Sequence, residues 1–214
     1  MPTLLLIRHG ENDYFKEGRL PGRLTGIHLN ARGIQQAEHL GQMLAAAPIA
    51  AVYASPLDRT METAAPIARA KGLAVIPRDG LIELDCGDWA GETLKSLRRL
   101  KLWRTAQQRP SMMHFPGGET FAAAQQRIVG ELDTLCRQNR PRDLIVCVSH
   151  SDPLKLAIAY HTGLPLDLFQ RLTIAPASVS TLHMGEGHAQ LINLNVLNGL
   201  DFPARRKGGK GKPH

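Results

Sequence analysis

Two histidines each close an apolar run: Leu4–Ile7 leads into Arg8-His9, and Leu144–Val148 leads into Ser149-His150. A second arginine, Arg59, lies in the segment SPLDR that follows the apolar run Ala50–Ala54. Two guanidinium groups in one pocket repel each other unless an anion lies between them. A phosphoryl group meets that need, because the planar fork of Arg can hold two of its oxygens at once. A neutral imidazole beside such a group can attack phosphorus, while the cations stabilise charge on the transferring oxygens. The second imidazole can donate a hydrogen bond to the phosphoryl group. The leaving alkoxide then needs a proton, which a carboxyl group can supply before it activates water. The segment LIELDCGDWAG, residues 81–91, offers Glu83, Asp85 and Asp88. Glu83 follows Leu81-Ile82 directly, as a residue at a sheet rim would, whereas Asp85 and Asp88 flank Gly87 as turn residues do. Glu83 is therefore favoured. This chemistry requires no metal and no cofactor, and no HxH or HExxH spacing is present to hold a metal. Taken singly, a histidine at a strand end is usually structural, and an arginine on a helix usually faces water. The reading rests on their coincidence at strand ends.

The elements that must position these residues alternate short strands with helical stretches. Thr3–Arg8 reads as a strand, and a helix follows Asn30, a good N-cap, to about Ala46. Ala50–Ala54 reads as a second strand, Leu57–Ala70 as a helix stopped by Gly72, and Leu73–Pro77 as a third strand. Residues 81–91 read as a loop, Thr93 to about Gln108 as a basic helix, and Arg109–Gly118 as a break. In Glu119–Gln138 the apolar residues Phe121, Ile128, Leu132 and Leu135 fall at helical spacing. Leu144–Val148 is the strongest strand, followed by a helix over Ser151–His161 and a short helical piece near Leu166. Val179–Met184 and Gln190–Val196 read as an antiparallel hairpin around Gly185-Glu186-Gly187. This alternation predicts an α/β three-layer sandwich, with a mostly parallel central sheet and helices on both faces. In such sheets ligands bind outside the carboxyl ends of the strands, where Arg8, His9, Arg59 and His150 fall.

The 214 residues suit one domain, placed at 1–200, followed by a basic tail at 201–214. The formal charge is +7, and the tail holds five cations against Asp201, which accounts for +4 of it. Its Gly- and Pro-rich composition predicts disorder and a solvated role. No aromatic residues interleave a basic patch, so a nucleic-acid partner is not expected. No apolar run approaches the roughly 20 residues needed to span a bilayer, so no membrane partner is expected either. Nothing at the N-terminus resembles a signal peptide, and cytoplasmic residence is the expectation. Cys86, Cys136 and Cys147 show no CxxC pairing and read as free thiols. A monomer or a homodimer fits, since the final hairpin offers an edge for pairing.

The segments LIRHGEN, SPLDRTMETA, ELDCGDWAG and VSH, in this order, resemble the histidine phosphatase superfamily, often called phosphoglycerate mutase-like. The resemblance covers about residues 3–196. It implies the corresponding fold, with His9 as the phosphorylated nucleophile. Arg8, Arg59 and His150 would complete the phosphate pocket, and Glu83 would serve as proton donor and later as base. FPGGET, residues 115–120, resembles the segment that follows the family's variable lid. Two departures stand out. Many members carry a phosphate-contacting Asn six positions after the catalytic His, where this chain has Phe15; Asn12 is the candidate substitute. The second His is usually followed by Gly, here by Ser151 and Asp152, and Ser151 is a candidate phosphate donor at a helix N-terminus. Arg19 and Arg23 read as exposed loop residues. The short stretch between Glu83 and His150 favours a phosphomonoester hydrolase over a mutase. The expected substrate is a small phosphorylated metabolite, selected by the lid at residues 97–118. That lid mixes Lys101, Arg104 and Arg109 with Leu102, Trp103, Met112, Met113 and Phe115. A phosphomutase is the alternative, and an inactive module that binds a phosphorylated metabolite is the alternative of another class.

Overall fold

A computed structural model describes residues 2–185 and 187–200. Its elements run β1 (Thr3–Arg8), α1 (Asp13–Lys16), α2 (Ala31–Met43), β2 (Ile49–Ala54), α3 (Asp58–Lys71) and β3 (Val75–Pro77). They continue with α4 (Leu94–Leu97), α5 (Lys101–Gln108), α6 (Phe121–Gln138), β4 (Leu144–Ser149), α7 (Ser151–His161), β5 (Val179–Met184) and β6 (Ala189–Val196). The strands form one sheet in the order β3-β2-β4-β1-β5-β6. The β3, β2, β4 and β1 strands are parallel, while β5 and β6 add antiparallel at one side.

Alternation along β1 explains its unbroken apolar run. Leu4 and Leu6 enter one core with Phe121, Ile128 and Leu132 of α6 and Leu154 and Ile158 of α7. Leu5 and Ile7 enter the other with Leu40 of α2 and Ala64 and Ile67 of α3. A strand buried on both faces has no side for a polar residue. The result is the expected three-layer α/β sandwich with a mostly parallel sheet and helices on both faces.

Local chemistry accounts for where the elements differ from expectation. The third strand starts at Val75 because α3 closes over Gly72, which is left-handed at φ 64°, and the Leu73 amide returns to the Ala68 carbonyl. The helix after Asn30 ends at Met43, with Leu44 as its cap. The basic helix divides into α4 and α5. Thr93 caps α4 through the Ser96 amide, and the chain turns at Arg98–Leu100 before α5 begins. The four residues of α1, capped by the Asn12 side chain, carried no periodic signal to read. Glu186 and the basic tail at 201–214 lie outside the described residues. Cys86, Cys136 and Cys147 are buried and unpaired. No helix among the described residues is long and apolar enough to cross a membrane.

Candidate active site

The site forms where the sheet changes direction. β1 pairs with parallel β4 on one side and antiparallel β5 on the other, and the ends of β1, β4 and β2 share one rim. The His9 amide bonds the Ser149 carbonyl at 3.0 Å, and the Ser55 amide bonds the Val148 carbonyl at 2.9 Å. These bonds extend the sheet one residue past each strand. Gly10 is needed there for close approach, because a Cβ at this position would stand 2.8 Å from the Gly33 carbonyl oxygen. The Gly10 amide donates to Thr63 Oγ1 at 3.0 Å, and that hydroxyl donates to the Arg59 carbonyl at 2.7 Å. The first turns of α2 and α3 are thus fastened to the end of β1.

His9 and His150 are buried and meet edge to face, with ring centroids 5.2 Å apart. Nδ1 of His9 lies 2.7 Å from the Gly10 carbonyl oxygen. A carbonyl only accepts, so Nδ1 carries the proton and Nε2 holds the free lone pair. Burial, reinforced by Arg59 and Arg8, holds the His9 imidazole well below its ordinary value and keeps it neutral near pH 7. His150 is lowered well below its ordinary value by burial and by Arg59, His9, Arg8 and Arg127. Its Nε2 shares a hydrogen bond of 2.9 Å with Ser55 Oγ. Nothing in the local sequence of Ser55 marks it as a partner for His150, 95 residues away.

Arg59 is fully buried at the start of α3. Its Nη2 donates to the Gly22 carbonyl at 2.8 Å, and its Nε and Nη1 have no acceptor in the protein. Arg8 donates through Nη1 to the Ile174 carbonyl at 2.7 Å, leaving its buried Nε without an acceptor. Asn12 is buried; its Oδ1 caps α1 by accepting from the Phe15 amide, and its Nδ2 has no partner. Buried donors without acceptors are costly, and a tetrahedral oxyanion supplies the acceptors that this set lacks. Phe15 brings no polar group. Its half-exposed ring lies against the Arg8 guanidinium, 5.2 Å from Cζ to the ring centroid. Ser151 opens α7 half-buried, with His150 as the helix N-cap.

Glu83 comes from the loop between β3 and α4. Its Oε2 lies 3.6 Å from His150 Nδ1, and its Oε1 accepts from the Leu84 amide at 2.8 Å. Burial and the Asp152 carboxylate, opposed by Arg59, raise its pKa to about 7. Asp85 is the turn residue expected, its Oδ1 accepting from the Gly87 amide at 3.1 Å, and Asp88 is exposed. Arg23 departs from expectation. It is one-third exposed and donates to the Glu83 carbonyl and to Glu119, because its loop folds against the acid loop. In the lid, Lys101, Arg104 and Arg109 face water, Leu102 and Trp103 pack on the core, and Trp103 stacks on Trp89 at 6.1 Å. Met113 and Phe115 are buried, and Met112 is exposed.

The structure thus brings Arg8, His9, Arg59, Glu83 and His150 to one rim of a three-layer α/β domain, where a neutral imidazole lies among buried donors that have no acceptor in the protein. Residues 4–197 match the histidine phosphatase superfamily (branch 1), and the chain belongs to that superfamily. It is 34% identical over 198 residues to phosphoserine phosphatase 1 of Hydrogenobacter thermophilus, covering 92% of this chain and 93% of the relative. It is 33% identical over 208 residues to a bifunctional protein of Mycobacterium tuberculosis, covering 90% of this chain and 54% of that longer relative. It is 27% identical over 205 residues to a 2,3-bisphosphoglycerate-dependent phosphoglycerate mutase of Thermoplasma acidophilum, covering 94% of this chain and 96% of the relative. Among solved structures, a mutant phosphoserine phosphatase of Entamoeba histolytica in complex with phosphoserine superposes with a TM-score of 0.84 at 28% identity. That likeness covers 92% of this chain and 98% of the other. The alpha-ribazole phosphatase of Shigella flexneri superposes with a TM-score of 0.82 at 27% identity, covering 94% of this chain and all of the other.

Proposed function

We propose that the protein is a metal-independent phosphomonoester hydrolase that acts on a small phosphorylated metabolite through a phosphohistidine. The observation that carries the reading is the group of buried donors without protein acceptors, Arg59 Nε and Nη1, Arg8 Nε and Asn12 Nδ2, beside a His9 whose Nε2 is unprotonated. In this reading the arginines and Asn12 hold the phosphoryl oxygens. His150 donates to one of them through Nδ1 while its Nε2 accepts from Ser55. The Ser151 hydroxyl and the first-turn amides of α7 face the same anion. His9 Nε2 attacks phosphorus and the P–O bond to the leaving group breaks, while Glu83 gives its proton to the departing oxygen. The Gly10 carbonyl steadies the Nδ1 proton as the ring gains charge. Glu83, now a carboxylate, takes a proton from water. The water oxygen bonds to phosphorus, the P–N bond breaks, and inorganic phosphate leaves. A pKa near 7 suits Glu83 to both steps. The enzyme this describes is cytoplasmic and works without a cofactor.

Relatives named phosphoserine phosphatase and alpha-ribazole phosphatase support the hydrolase reading. The mutase relative supports a second reading, in which the phosphoryl group returns to another oxygen of the substrate. A panel of phosphorylated metabolites assayed with EDTA present, alongside 3-phosphoglycerate isomerisation, tests both. Release of phosphate that survives the chelator is expected. Isomerisation without release would establish the mutase, and no turnover on any phosphomonoester would leave a binding module.

A further inference from the structure

The loop at residues 18–26 touches both halves of the site with adjacent residues. The Gly22 carbonyl accepts from Arg59 Nη2 at 2.8 Å, on the phosphate side. The next residue, Arg23, donates through Nε to the Glu83 carbonyl at 2.9 Å, on the acid side. Arg23 Nη2 also donates to Glu119 Oε1 at 3.1 Å, and Nη1 lies 3.4 Å from Asp85 Oδ2. Glu119 Oε1 is a shared acceptor, because it takes the Asp85 amide at 2.9 Å and Arg127 Nη2 at 2.7 Å as well. Arg127 reaches from α6 to the carbonyls of Gly80 at 3.1 Å, Ile82 at 2.8 Å and Glu83 at 3.3 Å. The Glu83 carbonyl is therefore held from two sides by guanidinium groups, and one carboxylate joins those two groups to each other. The next stretch of chain is pressed into the same joint. The Glu119 amide bonds the Asp85 carbonyl at 3.0 Å, and a Cβ on Gly118 would meet that carbonyl oxygen at 2.3 Å.

We propose that Gly22-Arg23 is a bracket that fixes the spacing between the phosphate-holding Arg59 and the proton-donating Glu83, with Arg23 acting as a positioning residue through Glu119 and Arg127. The inference rests on the phosphatase reading above. Arg23 touches the backbone of Glu83, not its carboxyl group, so its loss moves the donor without removing it. Arg127 and Glu119 remain bonded to each other when Arg23 is changed, so the acid loop keeps its main support. For that reason Arg23, not Arg127, is the residue to vary. The two halves of a displacement are sensitive to different things. Attack by His9 depends on the phosphate side, which the Gly22 carbonyl holds with its backbone. Departure of a poor leaving group depends on where the Glu83 proton sits, and a misplacement of about 1 Å can cost roughly 100-fold in such a transfer.

The test uses full-length protein, 2-phosphoglycerol as an alkyl ester and p-nitrophenyl phosphate as an activated aryl ester. Arg23→Met is expected to lower kcat on the alkyl ester by about 10-fold to 30-fold and on the aryl ester by less than about 3-fold. Inhibition by inorganic phosphate should change by less than about 2-fold, because Arg59 keeps its anchor. Arg23→Lys, which retains the charge near Glu119, should recover part of the alkyl-ester loss. In a Glu83→Gln background, Arg23→Met should cost less than about 2-fold more, since there is no longer a proton to position. Equal losses on the two esters, or a full additional loss in the double variant, would overturn the bracket while leaving the phosphatase reading intact. Wild-type protein that releases phosphate from neither ester nor from any member of the metabolite panel would overturn the phosphatase reading, and the bracket with it.

Discussion

His9 and His150 lie one residue beyond adjacent strands, the His9 amide still bonds the Ser149 carbonyl, and Arg59 is the second residue of α3. Glu83, by contrast, lies on a loop that contributes no strand to the sheet. The first group takes its geometry from regular structure: the β1 and β4 register places Arg8 opposite Ser149, which carries His9 beside His150. Glu83 takes its geometry from side chains that cross between elements, chiefly Arg23, Glu119 and Arg127. A chain of aromatic rings reinforces that side, with Trp89 against Phe115 at 5.2 Å, Phe115 against Phe121 at 5.2 Å, and Phe121 against Phe169 at 5.0 Å. His9 is thus fixed by the sheet, and Glu83 by cross-links over the sheet. One consequence is that the two can be perturbed separately.

The largest separation of the two regions is expected from His9→Ala. Turnover on every ester should fall by about 10⁴-fold or more, with far-UV circular dichroism unchanged. A variant that kept substantial activity would remove His9 as nucleophile. Glu83→Gln should fall by about 100-fold on alkyl esters and only a few-fold on activated aryl esters, because only the former need a proton. Equal losses on both would move the acid role to Asp85 or Asp88.

The pH profile separates the regions by sign. Glu83 must be protonated to act as an acid, so alkyl-ester turnover should decline as pH rises through about 7, and Glu83→Gln should lack that decline. His9 must be neutral, and its lowered pKa places any acid limb well below the ordinary histidine range. A limb near an ordinary histidine value would contradict the buried, cation-flanked imidazole.

The smallest expected effect is on stability. Glu83 has a folded pKa of about 7 against an ordinary value of 4.5, so between these values the folded state binds a proton that the unfolded state does not. Stability contributed by that proton is lost as pH rises through this window and is gone above it. Glu83→Gln should therefore raise Tm by about 3 to 6 °C near pH 8, and the two proteins should converge below about pH 5. A constant difference across that range would mean that Glu83 ionises as an ordinary surface carboxylate.

Much of this was legible because it is local. Apolar runs that end in Arg8-His9 and Ser149-His150 mark buried parallel strands and their carboxyl ends, and the strand bounds Thr3–Arg8 and Val179–Met184 appear in the structure as read. Asn30 caps its helix through the Gly33 amide at 2.9 Å, and Asp85 makes its turn through the Gly87 amide at 3.1 Å, and these two bonds reach only two or three positions along the chain. The ordinary reading of Arg23 failed because its partners stand 60, 62 and 96 positions further along the chain. The need for glycine at position 10 was likewise out of reach, because it comes from the approach of the Gly33 backbone from another element.

The sequence by itself determined which chemical groups the molecule owns and which strand ends present them, because a two-sided strand tolerates no charge until it leaves the sheet. Tertiary structure decided the rest. It set His9 against His150 at 5.2 Å, brought Glu83 to 3.6 Å from His150 Nδ1, and raised that carboxyl toward neutrality through burial and Asp152. Those are properties of packing between segments far apart in the chain, and burial, unlike residue type, exists only once the segments have met.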